Sequence, residues 1–418
     1  VLYRDIVWHF LADQPGRRRS PSEPAAYQLR VLDNEQALFE FGTSPSARVY
    51  SVRFPSAFVQ GDETRSRSKG IGRDVGRLRL IALRLWNLLP AEVVEPLRSG
   101  AESDAMTRLK ICSGDPLVND LPWELLLGDG TGGNVVIVRT VPALTPAPPS
   151  SVKRPLKVLV VLTSPKDAML LQPRQEFAAV ELGLREAELD FCELSEPTAA
   201  AARQMLTDYQ PHVVHYIGHA GVSRGAGALI LHDANQGTEW LPADELAPSL
   251  PLSVRLICLS SCFTAPNYNV LGLSRLAHAS AELKLPSMIF NQYEPPEQAV
   301  RAFWSAFYPA LDSADSDLTR AFIAGRRAVQ AHKVEDEPAD GGAFGLVIRE
   351  GSDRPFRFEQ DVVTPDRFAA EIQAQFASRS VNEMAEKIRM LGTSASQSQR
   401  LHLREAFGQA TDLLKKLQ

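Results

Sequence analysis

Two apolar runs end on side chains that can do acid–base or nucleophilic work. The first reads His212-Val213-Val214-His215-Tyr216-Ile217-Gly218-His219-Ala220-Gly221. The second reads Val254-Arg255-Leu256-Ile257-Cys258-Leu259-Ser260-Ser261-Cys262-Phe263. A histidine and a cysteine at the ends of neighbouring strands are the minimum equipment for thiol nucleophilic catalysis. The thiolate is the reactive form, so the cysteine has to be reachable and partly ionised. An imidazole within hydrogen-bond reach takes the proton and later returns it to the leaving amine. His219 and Cys262 stand at the run ends; Gly218 and Gly221 let the chain leave the strand sharply. His215 and Cys258 lie four residues earlier, inside the runs, and read as packing residues.

Such residues need strands that deliver them to one edge of a sheet. Continuous apolar runs of this length fit strands buried on both faces of a parallel sheet, whose carboxyl ends hold the active sites of open α/β folds. From residue 156 onward strand and helix signals alternate. Strands are expected over Lys157–Leu162, Phe191–Leu194, Ser287–Asn291 and Phe344–Ile348, with a hairpin-like stretch around Ala228–Leu231. Helices are expected over Gln175–Leu189, Thr198–Tyr209, Ala243–Leu250, Val270–Leu283, Gln298–Leu311 and Leu318–Ala331. That alternation gives βαβ units and a mostly parallel sheet flanked by helices. Residues 1–141 are strand-rich, with a helix over Arg77–Leu89. Five prolines within Pro142–Pro155 mark a linker, 156–360 form the α/β core, and 365–418 form a small helical C-terminal segment.

At 418 residues, with 44% hydrophobic and 23% charged residues, the composition is that of a soluble globular chain. The net charge of −5 gives no drive toward nucleic acid or a membrane surface. No run approaches the roughly 20 apolar residues of a membrane helix. The first residues, Val-Leu-Tyr-Arg-Asp, lack both an initiator Met and the pattern of a secretory leader. Four cysteines without a Cys-x-x-Cys are reduced thiols of a cytoplasmic protein. The His-x3-His and Cys-x3-Cys spacings do not make a zinc site, because residues four apart on a strand are about 13 Å apart. The glycines of Gly70-Ile71-Gly72 follow a polar, basic loop rather than a strand, so they do not form a phosphate cradle. No metal or cofactor is called for.

At these residues the chain resembles the CHAT family, the bacterial caspase-like peptidases of the caspase–separase–gingipain clan. Pro122-Trp123-Glu124-Leu125-Leu126 resembles the family's Pro-Trp-Glu-Leu block, His215–Gly221 its histidine block, and Leu259–Ala265 the strand that ends on the cysteine. Gly272–Pro286, Ala299–Ala310 and Ala321–Ala328 are similar to the helices that follow. The resemblance implies a caspase-like α/β fold and a cysteine endopeptidase with Cys262 as nucleophile and His219 as general acid/base. It implies an oxyanion hole made by the backbone N–H groups of Ala220 and Cys262. Ala220 stands where caspases have Gly, and an Ala would be strained there if the position needed positive φ. The loop Thr163–Asp167 and the residues Gln292 and Glu294 are the implied substrate-binding walls, with Asp167 suited to a basic P1 side chain. The implied partners are a protein substrate and an activator or sensor, in a bacterial defence or regulated-proteolysis system, with no membrane and no direct nucleic acid. The alternatives are a catalytically silent caspase-like scaffold and, outside the resemblance, an α/β nucleotide-binding module.

Overall fold

The computed structural model describes residues 3–12, 25–33, 48–54, 75–92, 94, 97, 106–113, 116–119, 121–127, 135–141, 149–168, 173–223, 226–260, 285–291, 295–313, 316–331 and 340–359. The chain divides into two compact units, Val1–Phe358 and Glu359–Gln418. The strands and helices described lie in the first. The helix expected over Val270–Leu283 and the C-terminal segment 365–418 lie outside the described residues.

The strands of the main sheet are β1 (Tyr3–Ala12), β2 (Ala25–Asp33), β3 (Arg48–Phe54), β4 (Met106–Ser113), β5 (Val135–Val141), β7 (Lys157–Leu162), β8 (Asp190–Ser195), β9 (Val213–Ile217), β13 (Leu256–Ser260), β14 (Ser287–Asn291) and β15 (Phe344–Arg349). These eleven run in the order β3-β2-β1-β4-β5-β15-β14-β13-β9-β7-β8. Pairing is antiparallel within β1–β3 and between β14 and β15, and parallel elsewhere. The sheet is therefore mostly parallel, in two oppositely directed halves that meet at β14–β15. The proline-rich stretch does not divide one sheet from another, since strands before and after it share this one. Its end forms β6 (Ser150–Val152), which pairs with β16 (Phe356–Phe358).

Six helices of seven residues or more are described: α1 (Val75–Leu88), α2 (Pro173–Glu186), α3 (Ala199–Tyr209), α4 (Ala243–Ser249), α5 (Glu297–Ser313) and α6 (Leu318–Ala331). One apolar face of the central strands, with Val213, Ile217, Cys258 and Ile289, packs in the same core as α2, α5 and α6. The opposite face, with Val214, Tyr216, Leu259 and Phe290, packs in the same core as α3 and α4. Burial on both faces is why these strands read as unbroken apolar runs. α5 supplies Phe303, Trp304, Phe307 and Tyr308, all buried. Gly183 of α2 lies against it so closely that a Cβ would overlap the Trp304 carbonyl oxygen. The residues around Ala228–Leu231 form β11 (Ala226–His232), the centre of a three-stranded antiparallel sheet with β10 (Ala220–Ser223) and β12 (Thr238–Pro242).

The Pro-Trp-Glu-Leu block is a structural knot. Trp123 is buried edge-on against Trp8 of β1, and its indole N–H donates to the Val118 carbonyl at 2.8 Å. Glu124 forms a buried two-pronged ion pair with Arg139 of β5. The same guanidinium donates to the carbonyls of Asn119 and Leu121 at 3.2 and 2.9 Å. Two charges out of water need this degree of satisfaction to be tolerated.

Candidate active site

β7, β9 and β13 are adjacent and parallel, so their carboxyl ends lie together. Hydrogen bonds carry the ladder one step past each strand. The Thr163 N–H donates to the Ile217 carbonyl at 2.9 Å, and the Gly218 N–H to the Ser260 carbonyl at 3.1 Å. Gly218 is required by close approach: a Cβ there would collide with the Thr163 hydroxyl oxygen and stand 2.6 Å from that of Tyr216. The sequence suggests a sharp turn at Gly218; in the structure, packing accounts for the glycine.

His219 is buried, at 1% exposure. Its carbonyl accepts from the Ile230 N–H at 3.0 Å and from the Tyr216 phenol. Ala220 follows and opens β10, where it faces Leu229 of β11. The bond from Ile230 N to His219 O makes Ala220–Leu229 a non-hydrogen-bonded pair, so the Ala220 N–H points away from β11. Ala220 is not among the positive-φ residues, so an L side chain is unstrained here.

Cys262 lies outside the described residues, as do Gln292 and Glu294. β13 is described to Ser260. β9 and β13 pair with a constant offset of 43 positions, from Val213 against Leu256 to Ile217 against Ser260. His219 and Cys262 are separated by the same 43 positions, each two residues beyond the last pair.

The inner histidine and cysteine are sealed in the core. His215 is fully buried, and burial alone pushes its pKa down to about 3, so the ring is neutral at physiological pH. Its Nδ1 meets the Tyr308 hydroxyl at 2.5 Å and its Nε2 the Ser260 hydroxyl at 3.1 Å, with Trp304 edge-on at 4.5 Å. Cys258 is equally buried, and loss of water raises its thiol far above the ordinary range. A thiol held protonated in this way is no nucleophile.

Asp167 is exposed, and both its oxygens accept from Thr238 of β12, from the hydroxyl at 2.6 Å and the N–H at 3.1 Å. These bonds hold its carboxyl below its usual pKa. The same loop is tied to β11 through the Ser164 N–H, which donates to Nε2 of His232 at 3.1 Å. With Nε2 accepting, Nδ1 is the donor to the Gln236 side-chain oxygen at 3.1 Å. At the end of β14, Asn291 is fully buried, and neither of its amide atoms is hydrogen-bonded to a described residue.

Sequence reasoning brings Thr163 to this edge only as the first residue of the Thr163–Asp167 loop and Ser260 only as a small residue ahead of Cys262; it misses Tyr216 and His232. Tyr216 lies inside the histidine block, but that block assigns it no role. His232 carries no local signal, and the hydroxyl contacts of Thr163 depend on strands distant in sequence.

The CHAT domain family model matches residues 81–357. No curated protein matches the chain. Among solved structures, the Saccharomyces cerevisiae separase–securin complex is similar at 12% identity and a TM-score of 0.33, covering 58% of this chain and 15% of that one. A second structure of that complex aligns at 11% identity and 0.35, covering 77% and 22%. The chain thus spans less than a quarter of the length of those separase chains. The Arg-specific cysteine proteinase gingipain R aligns at 10% identity and 0.36, covering 62% of this chain and 67% of that one. With well over half of its length matched, the chain belongs to the CHAT domain family.

Proposed function

We propose that the protein is a cysteine endopeptidase with Cys262 as nucleophile and His219 as general acid/base. The observation that carries this reading is the β9–β13 register, whose 43-residue offset is also the separation of His219 and Cys262. Adjacent strands lie about 4.8 Å apart, which is the scale on which a thiol and an imidazole can exchange a proton. Membership of the CHAT family supports the same chemistry.

In this mechanism the Cys262 sulfur attacks the scissile carbonyl carbon and its proton passes to His219. The carbonyl oxygen becomes an oxyanion, met by the N–H groups of Ala220 and Cys262; one such donor is worth about 3 kcal/mol. Collapse breaks the C–N bond, and His219 gives its proton to the departing amine. A water then attacks the thioester, losing its proton to His219, and the thiol is released. Gln292 and Glu294 bound the substrate in this reading, and a basic P1 side chain would share the Asp167 carboxylate with Thr238. The substrates are specific partner proteins, and the setting is a cytoplasmic bacterial defence or regulated-proteolysis system with an activating sensor.

The test is incubation of wild type, Cys262→Ala and His219→Ala with the proteins encoded beside this one, read by intact mass. Cleavage lost in both variants is the expected result. Cleavage surviving Cys262→Ala rejects the thiol mechanism.

A further inference from the structure

We infer that Tyr216, held by Thr163, is a positioning residue that aims the Ala220 N–H into the oxyanion hole and fixes the backbone from which His219 projects. The inference rests on the dyad reading above. It begins from a cluster of buried hydroxyls: Thr163 and Tyr216 are 0% and 1% exposed. Their oxygens are 3.0 Å apart. Two carbonyls are within reach, those of His219 and Ile230. The Ile230 oxygen lies 3.0 Å from the Thr163 hydroxyl and 2.7 Å from the Tyr216 phenol. Each hydroxyl has one proton. When Thr163 donates to Ile230, the phenol proton is left for His219, and both carbonyls are satisfied. The phenol oxygen in turn accepts from the Ile230 N–H at 3.3 Å.

The consequence lies in the peptide unit that joins His219 to Ala220. A trans peptide is planar, and its C=O and N–H point in opposite directions. Fixing the His219 carbonyl from one side therefore aims the Ala220 N–H to the other. That direction is away from β11, as the β10–β11 register requires. Two donors on one carbonyl also draw electron density toward its oxygen, which makes the N–H of the same unit a better donor. Gly218 completes the device: its missing Cβ is the space in which the two hydroxyls meet over the backbone. Neither side chain has to touch substrate to act.

The test uses the full chain carrying Tyr216→Phe, Thr163→Val or Thr163→Ser, each checked for folding by circular dichroism. The first readout is the pH profile of Cys262 alkylation by iodoacetamide, followed by peptide mass against a Cys262→Ala background. The second is cleavage of a tetrapeptidyl-aminocoumarin set with each residue at P1. Tyr216→Phe and Thr163→Val should move the alkylation profile to higher pH, because His219 pairs less well with the thiolate. On any peptide the wild type cuts, they should lower kcat about tenfold or more with KM changed less than about twofold, the pattern of a lost transition-state contact. Thr163→Ser keeps the hydroxyl and should behave as wild type. A wild-type thiol with no low-pH reactivity overturns the dyad and this inference together. A low-pH limb that Tyr216→Phe leaves unmoved overturns this inference alone.

Discussion

Two buried polar networks sit on the same sheet and do different work. The Glu124–Arg139 knot joins the 121–127 segment to β5 with full charges, and the guanidinium is met by a carboxylate and two carbonyls. The Thr163–Tyr216 clamp joins β7, β9 and β11 with neutral hydroxyls, and its bonds go to backbone. Charges in the interior are tolerated only when enclosed on all sides, which makes a rigid joint. Hydroxyls cost far less to bury and contribute about 1 kcal/mol per bond, so their value lies in direction rather than strength. A protein of this kind can hold its fold with one sort of network and aim a peptide with the other.

That contrast can be broken most directly at the knot. Glu124→Ala leaves Arg139 buried without a counter-charge and should cost about 3–5 kcal/mol in urea unfolding. A loss below about 1 kcal/mol would mean that water reaches the guanidinium, and the contrast would fail.

His215 sharpens the neutral side of it. Its pKa falls from 6.5 in the unfolded chain to about 3 in the fold, so the unfolded state binds more protons between those values. Stability is then fully present above about pH 6.5 and is lost as pH falls toward 3, by about 1.4 kcal/mol per pH unit within the window. Replacing His215 with Phe should flatten this slope between about pH 4 and 6 in denaturant titrations. An unchanged slope would assign it to other groups.

Asn291 belongs to neither network, and its amide is buried without a bond to a described residue. Asn291→Leu removes that cost and should raise stability by about 1 kcal/mol, read as a higher midpoint of thermal unfolding. A fall instead would show that the amide is satisfied in solution and that a third network exists.

Much of the architecture is readable along the chain because burial on both faces writes itself as apolar runs. Lys157–Leu162, Ser287–Asn291 and Leu318–Ala331 are bounded in the structure as the residue pattern predicts. β4 carries no such signal. Its Thr107, Arg108 and Lys110 break the apolar run, yet all three are buried, Arg108 through an ion pair with Asp353 that no local pattern announces. The proline-rich stretch misdirects for a related reason, because composition cannot report that strands before and after it pair through β15. Of the candidate site, the histidine block names His219 and Ala220, and the structure describes both. The clamp beneath them is not legible, since Thr163, Tyr216 and Ile230 meet only when three separate strands are assembled.

β15 has a consequence for how the protein is made. It is the seam between the two oppositely directed halves of the sheet, bonded to β5 on one side and β14 on the other. Residues 344–349 are synthesised after every other strand of that sheet. Until they leave the ribosome, β1–β5 and β7–β14 are two half-sheets with facing raw edges and no strand to join them. The nascent chain therefore carries the carboxyl ends of β7, β9 and β13 in an unfinished frame until this strand arrives, so synthesis itself delays completion of that edge.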